Sequence, residues 1–188
     1  MRQKVKKRVS GAEILLSMIE KLVQRLINRE GGYVDHPLDR GGPTNMGITL
    51  GTLRIWRDEE VTPDDVRNLT HDEAHRIYYN MYWKAPGLSS LTSSADLNEM
   101  LFDAAVHHGP TKAIKLLQTA LGVTDDGLIG PKTQRAATTF PPSETAAYFM
   151  AGRVAYLGRI ITQSPGQAVF AAGWFRRMQE FIEVIPRI

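Results

Sequence analysis

The stretch NREGGYVDHPLDRGGPTNMGIT, residues 28 to 49, decides how the rest of this sequence is interpreted. It opens with a carboxylate, Glu30, which is followed at once by Gly31 and Gly32. Its second half is dense in Asp, Gly, Pro and Asn. Glycines that tolerate positive φ angles end helices, and the other residue types are those of tight turns. The stretch therefore predicts a helix end followed by turns or a short hairpin.

An amphipathic helix is predicted ahead of this stretch, from Ala12 to Arg29. Its apolar residues recur at steps of three and four: Leu15, Ile19, Leu22 and Leu26, with Leu16, Val23 and Ile27 widening the stripe. Four residues beyond Leu26, Glu30 falls on the same buried face. Apolar neighbours and the negative end of the helix dipole oppose ionisation, so the pKa of Glu30 is expected to be raised. The alternative is a side chain that rotates into solvent at the helix end.

A raised pKa suits a general acid, and the following loop offers partners for it. Asp39 lies nine residues after Glu30, in a segment that the two glycines allow to fold back over the helix end, and Thr44 lies five residues further. A neutral carboxyl group and a charged carboxylate facing one cleft share the work of glycoside hydrolysis. Turn-forming roles for Asp35, Asp39 and Thr44 are the alternative.

The composition describes an ordinary globular protein. The 188 residues are 43% hydrophobic and 23% charged, with no cysteine, which excludes disulfides, thiol nucleophiles and thiolate metal sites. Five Lys or Arg residues lie between Arg2 and Arg8; they form a solvated tail or attract a polyanion such as an acidic cell wall. Charged residues interrupt the segment that follows, so a signal peptide and a membrane span are not expected. We therefore expect synthesis in the cytoplasm, no nucleic-acid partner and no stable membrane insertion.

The remaining chain is predicted to be helical, with boundaries set by caps. Thr62 before Pro63 starts one helix, and Thr70 with Glu73 forms a capping box that opens a helix toward Trp83. Two later helices are predicted to end at Gly109 and at Gly122, and a third to start at Pro131. A fourth opens at Ser143 and runs to about Ile161, and a final helix over residues 168–185 is either broken or continuous. At the end of the first of these, His107 and His108 are expected to be protonated imidazoles that complement the helix dipole.

The segment EGGYVDHPLDRGGPTNMGIT resembles the signature of the phage-type N-acetylmuramidases of glycoside hydrolase family 108, relatives of lysozyme. IYYNMYW at residues 77–83 and LFDAAVHHGP at 101–110 are similar to later segments of that family. The resemblance implies a mainly α, lysozyme-like fold with a small β-hairpin or loop at the active site. It makes Glu30 the catalytic acid, while Asp39 and Thr44 resemble the Asp and Thr of phage lysozyme sites. The spacing from Asp39 to Thr44 is about one residue shorter than in those sites.

The resemblance also implies a function: a peptidoglycan hydrolase that cleaves the β-1,4 bond between N-acetylmuramic acid and N-acetylglucosamine. Glu30 would protonate the glycosidic oxygen, Asp39 would steady an oxocarbenium-like transition state, and Thr44, with Asp39, would orient the attacking water. Inversion is preferred over retention, because a helix end and a hairpin tip leave room for a water. No cofactor and no metal are expected. The protein would be a monomeric endolysin that depends on a holin to reach the wall.

Candidate sugar contacts surround the predicted acid. Asn45 and Gly47 belong to the same loop, where glycine permits close backbone approach. Aromatic rings stack on the apolar faces of sugars, and Tyr33 beside the helix end is the preferred one. Trp56, Tyr82 and Trp83 are further candidates, although core packing is the preferred interpretation for Trp56, Tyr79 and Trp83.

The segment LLQTALGVTDDGLIGPKT, residues 116–133, resembles helical peptidoglycan-binding domains. Asp126, Gly127, Ile129 and Gly130 are predicted to form a tight peptidoglycan-binding turn, with Pro131 starting the next helix; a turn that only joins helices is the alternative. The predicted organisation is a basic tail at residues 1–11, a catalytic lysozyme-like lobe at 12–90, and a peptidoglycan-binding lobe at 91–188 packed on it.

Two other functions were weighed. HDEAH at residues 71–75 puts His71 and His75 one helical turn apart, but a zinc-protease helix needs Glu directly after the first His, where this sequence has Asp72. A wall amidase or peptidase using these histidines is therefore the weaker hypothesis. A non-catalytic wall-binding or virion-associated module of the same fold is the main alternative.

Overall fold

The computed structural model describes residues 20–25, 27, 32–35, 42–91 and 94–187. By its internal contacts the chain divides into two compact units, Met1–Tyr79 and Asn80–Ile188. Within the described ranges the structure is mainly helical, with one small antiparallel sheet of two strands. The predicted fold class is therefore confirmed. None of the described helices is both long and apolar enough to cross a bilayer.

The first unit carries the predicted helix and hairpin. Helix α1 is described over residues 20–25 and 27. Strands β1 (Thr44–Asn45) and β2 (Ile48–Thr49) lead into three short helices, α2 (Leu50–Arg57), α3 (Pro63–Arg67) and α4 (His71–Ile77), and α4 continues as a π-helix over Tyr78–Lys84.

The α1 residues confirm the predicted apolar stripe where they are described. Leu22, Val23 and Ile27 are buried, while residues 20, 21, 24 and 25 are exposed. The apolar residues therefore lie on one buried face of the helix, as their spacing of three and four predicts.

Side-chain caps begin the helices of the first unit. Thr62 and Asp65 form a full capping box with Pro63 as the first helical residue, as predicted. The second predicted box is only half formed, because Thr70 accepts from the Glu73 N–H while the Glu73 carboxylate turns to Arg57. Arg57 donates to both Glu73 oxygens at 2.9 Å. These hydrogen bonds lower the pKa of Glu73 and tie α2 to α4.

The second unit is a bundle of five α-helices in its described residues: α5 (Ala95–His108), α6 (Pro110–Ala120), α7 (Pro131–Thr139), α8 (Pro142–Gln163) and α9 (Ala171–Ile182). Gly109 and Gly122 adopt the positive φ angles that the predicted helix ends require. Helix α8 starts at Pro142, one residue before the predicted Ser143. The final helix is broken, because a 3₁₀ segment at Pro165–Phe170 precedes α9.

Helix α5 is the core of this unit and packs on α6 and α8. Eight of its fourteen residues are buried, so it shows little of the one-sided pattern of a surface helix. One of the buried residues is Asp103, whose carboxylate accepts from Arg153 and from Arg177, each at 2.7 Å. Arg153 is fully buried. A buried cation without a partner costs several kcal/mol, roughly, so this shared carboxylate holds α5, α8 and α9 in register.

The two histidines at the end of α5 correct the prediction of protonated imidazoles. Burial lowers the pKa of His107 to about 4 and that of His108 to about 2, and the charges of Arg153 and Arg177 act in the same direction. The Arg153 Nε donates to His108 Nε2 at 3.4 Å, which requires an unprotonated ring nitrogen there. Both rings are therefore neutral at neutral pH and serve as packing groups.

The neutral histidines predict a pH-dependent stability. Their folded pKa values lie below the unfolded value of about 6.5, so the unfolded chain binds protons first and stability falls as the pH drops below that value. Each imidazole contributes up to about 1.4 kcal/mol per pH unit. We expect the free energy of unfolding, measured with urea, to fall by roughly 2–4 kcal/mol between about pH 7 and about pH 5.

The matched comparison is a His107→Gln/His108→Gln variant, in which this pH dependence should largely disappear. His71→Gln, at an exposed position on α4, should leave it unchanged. Equal stability of the wild-type protein at the two pH values would refute the prediction.

Candidate functional site

The hairpin between β1 and β2 is built on a two-residue turn. Asn45 pairs with Ile48, and the residues between them, Met46 and Gly47, both have positive φ angles of 50° and 74°. This is the geometry of a type I′ turn, which matches the twist of the flanking strands. Gly47 is needed for this backbone conformation. Its predicted close approach to a sugar stays a prediction.

Three long-range hydrogen bonds fix the turn in place. The Asn45 Nδ2 group donates to the backbone oxygens of Val66 and Arg67, both at 3.0 Å, and so joins β1 to the end of α3. The Tyr78 hydroxyl donates to the Met46 carbonyl at 2.8 Å. All the side chains of this arrangement are buried, since Asn45, Met46 and Tyr78 are 7%, 6% and 1% exposed.

This burial corrects the prediction for Asn45. Both amide hydrogens are used by the backbone of α3, and the side chain lies inside the unit. Asn45 therefore positions the hairpin and does not offer its amide to a sugar. No local sequence pattern predicts this role, because Val66 is 21 residues away from Asn45.

A third backbone segment pairs with the hairpin. Val34 and Thr44 exchange backbone hydrogen bonds of 2.8 and 2.9 Å, and Leu50 N donates to Pro43 O at 2.9 Å. Val34 and Thr44, which flank residues 35–43 in sequence, are thereby held side by side. The Thr44 hydroxyl donates to Gly42 O at 3.0 Å, so its oxygen lone pairs are left as acceptors.

Tyr33 lies next to this pairing and is half-buried. Its hydroxyl donates to Asp35 at 3.1 Å, and the Arg67 guanidinium lies 4.6 Å from the ring centre. The cation covers one ring face, which leaves a single face for any stacked sugar. The role of Tyr33 in substrate binding stays a prediction.

The two predicted carboxylates, Glu30 and Asp39, lie outside the described residues. Their flanks are described: Ile27 is buried three residues before Glu30, and the pairing of Val34 with Thr44 encloses the segment that carries Asp39. The raised pKa of Glu30 and the grouping of both carboxylates with Thr44 stay predictions.

Trp83 is a core residue, in contrast to its predicted contact with substrate. Its ring is 1% exposed and meets Phe102 edge to face, with ring centres 6.1 Å apart. No face of the indole is open to a sugar. Core packing, the preferred interpretation for this residue, is the role that the structure shows.

The predicted turn after α6 is present and is organised by a buried amide. Gln118, 1% exposed, accepts from Gly127 N at 2.8 Å and donates to the Leu128 carbonyl at 2.9 Å and to the Asp126 carboxylate at 2.7 Å. Gly127 has a φ of 81°, and a Cβ there would lie 2.9 Å from a Thr111 methyl carbon. The turn thus needs glycine for both conformation and space.

These contacts locate the predicted turn residues. The hydrogen bonds of Asp126 to Gln118 and to Leu128 N lie within the turn, and they keep the pKa of Asp126 low. Ile129 is half-buried, and Gly130 is the N-cap residue of α7, where Pro131 is the first helical residue. Gln118 was missed by sequence reasoning. The available signal was a polar residue between Ile114 and Leu121 on the apolar face of α6.

The described residues contain no group of three or more side chains that could hold a metal ion. His71 is exposed and His75 half-buried on α4. The hydrogen bonds and ion pairs described above are made by the chain's own groups.

The hairpin anchor predicts a measurable cost for losing the Asn45 amide. An Asn45→Ala substitution leaves the Val66 and Arg67 carbonyls without this donor, so we expect a loss of about 1–2 kcal/mol in the free energy of unfolding. Amide hydrogen exchange at Ile48 and Thr49 should become faster. Asn68→Ala, at an exposed residue just after α3, is the control and should change neither quantity; an Asn45→Ala variant as stable as this control would contradict the role assigned to Asn45.

Comparisons with known proteins agree with this architecture. Residues 23–109 match a family model described as glycosyl hydrolase 108, and residues 112–179 match one described as a predicted peptidoglycan domain. The structure is similar to that of SagA from Brucella abortus, with 34% sequence identity, coverage of 92% of this chain and 95% of that chain, and a TM-score of 0.81. A comparison with curated proteins finds no significant match.

The identity and coverage shared with SagA, together with the two family matches, establish what the sequence motifs indicated. A hydrolase region followed by a peptidoglycan domain does not favour the non-catalytic alternative. The chain belongs to the glycosyl hydrolase 108 family, and it is a glycoside hydrolase that acts on peptidoglycan.

Proposed function

We propose that this protein is an N-acetylmuramidase that cleaves the β-1,4 bond between N-acetylmuramic acid and N-acetylglucosamine, with Glu30, Asp39 and Thr44 as its catalytic residues. The observation that carries the proposal is the anchored hairpin. It holds Thr44 in a fixed position and pairs it with Val34, and Asp39 lies between these two residues in sequence. Family membership supports the same bond class.

The proposed chemistry uses three groups in distinct roles. The Glu30 carboxyl group gives its proton to the glycosidic oxygen as the bond to the anomeric carbon breaks. A water attacks that carbon from the opposite face and passes a proton to Asp39. Thr44 accepts a hydrogen bond from the same water, since its own proton is directed at Gly42 O. This arrangement inverts the anomeric configuration and needs carboxyl groups roughly 6.5–9.5 Å apart.

Mass spectrometry of digested peptidoglycan tests the bond that is cut. We expect muramic acid at the new reducing ends, while glucosamine at those ends would point to a different glycosidic bond. Release of peptide amines in a chelator-sensitive reaction would instead favour the amidase hypothesis. The configuration of the first-formed anomer, read by NMR, separates inversion from retention.

Substitution of the proposed acid tests the mechanism. Glu30→Gln keeps the side-chain shape but has no proton to give, so we expect hydrolysis to fall by about 100-fold or more. Glu20→Gln is the matched control, because Glu20 is an exposed residue of α1 and its loss should leave the rate unchanged. A folded Glu30→Gln protein that kept more than about 5% of the activity would rule out this assignment.

We further propose that the protein is a monomeric endolysin of phage origin, made in the cytoplasm and dependent on a holin. The support is the resemblance of residues 30–49 to phage muramidases. When the chain is expressed in a bacterial cytoplasm, we expect lysis only after a holin or a solvent has permeabilised the inner membrane. Lysis without permeabilisation would refute holin dependence, and a dimer mass in light scattering would refute the monomer.

A further inference from the structure

A pocket of about 540 Å³ lies in the second unit, between the turn after α6 and the first turns of α7. Its lining includes Asp126, Leu128, Pro131, Lys132, Thr133 and Arg135. The pocket therefore falls inside the region that matches a predicted peptidoglycan domain, residues 112–179.

The wall of this pocket is held rigidly from behind. Gln118 binds four groups of the surrounding backbone and side chains, and one of these, the Thr133 hydroxyl, lies 3.1 Å from its Nε2. Both Gln118 and Thr133 are buried. A pocket whose wall is fixed by buried hydrogen bonds is available to a ligand without an ordering cost.

Two of the three charged side chains that line the pocket are cations. Lys132 and Arg135 are exposed and stand three residues apart on α7, hence on neighbouring positions of one face. In the described part of the chain, neither has a carboxylate within 4.0 Å. The one lining carboxylate, Asp126, already accepts from Gln118 and from Leu128 N. Two cations therefore line the pocket without a carboxylate partner among the described residues.

Apolar surface lies beside these cations. Leu128 is 70% exposed although its backbone is fixed in the turn, and Pro131 also lines the pocket. An exposed leucine on a rigid turn next to two cations suits a ligand that joins a carboxylate to a small aliphatic group. Peptidoglycan has this chemistry in its stem peptides, which carry free carboxylates on alanine-type residues, whereas its neutral glycan backbone does not.

We propose that this pocket binds a free carboxylate of the peptidoglycan stem peptide, with Lys132 and Arg135 contacting the carboxylate and Leu128 contacting the adjacent methyl group. The inference deepens the proposed function, because it takes peptidoglycan as the substrate and names the part that the second unit holds. The pocket thus selects peptide-bearing glycan and is separate in the chain from the residues proposed for bond cleavage.

Binding of a synthetic stem pentapeptide to the full chain, measured by calorimetry, tests the proposal. A Lys132→Ala/Arg135→Ala variant should bind the peptide at least about tenfold more weakly, and added salt should weaken the wild-type protein's binding. An Arg159→Ala/Arg176→Ala variant is the control: it removes the same charge from exposed positions on α8 and α9 that do not line the pocket, and it should bind like the wild-type protein.

The peptide itself supplies the second control. A pentapeptide amidated at every carboxyl group should fail to bind. Equal binding of the free and amidated peptides, an equal loss in both double variants, or equal competition by inorganic phosphate would each overturn the proposal. Unchanged melting temperatures show that a loss of binding is not a loss of folding.

Hydrolysis of wall glycan whose stem-peptide carboxyl groups are all amidated separates this inference from the proposed function. Glycan stripped of peptide is unsuitable, because its freed lactyl groups offer a carboxylate beside a methyl group. A chain that cuts the amidated glycan but does not bind the pentapeptide disproves the pocket assignment and leaves the muramidase proposal standing. A chain that binds the pentapeptide but cuts no glycan disproves the muramidase proposal and leaves the pocket assignment standing. The Lys132→Ala/Arg135→Ala variant should cut this amidated glycan at the wild-type rate and intact wall more slowly.

Discussion

The hairpin between β1 and β2 depends on three hydrogen bonds that join it to residues far from it in sequence. Asn45 donates to the end of α3, and Tyr78 donates to the turn carbonyl of Met46. Met46 has a positive φ angle, which costs a residue with a side chain roughly 1–2 kcal/mol. Burial of the methionine side chain and the bond from Tyr78 offset this cost. Because Thr44 pairs with both Thr49 and Val34, the same anchor sets the position of the proposed water-orienting hydroxyl.

The second unit uses the same device at a different loop. Gln118 reaches from α6 into the turn before α7, as Asn45 reaches from β1 to α3. In each case a primary amide satisfies backbone groups that a short loop leaves without partners. A carboxylate at either position would meet carbonyl oxygens and repel them. The two amides thereby give rigid shape to the proposed catalytic hairpin and to the proposed carboxylate pocket.

The compact units and the family matches divide the chain differently. The hydrolase match ends at residue 109 and so includes α5, whereas α5 packs with α6 and α8 inside the second unit. Asp103 of α5 is shared by Arg153 of α8 and Arg177 of α9. Helices from both matched regions therefore form one core. A cut between residues 109 and 112 would leave Arg153 buried without its carboxylate, so the peptidoglycan domain is built on a helix of the hydrolase region.

Local features of this protein were determined by the sequence alone. The apolar stripe of α1, the Thr62 cap and the turn-forming glycines Gly47 and Gly127 are recognisable from neighbouring residues, so their patterns predicted these elements. Distant partners then anchor the two turns. The family motifs likewise predicted the fold class and the hydrolase function. Tertiary structure alone decided the neutral charge of His108, the burial of Trp83 and the anchoring role of Asn45. The partners are Arg153 for His108, Phe102 for Trp83 and Val66 for Asn45, and they lie 19 to 45 residues away. Burial and pKa values follow from such distant neighbours and not from adjacent residues.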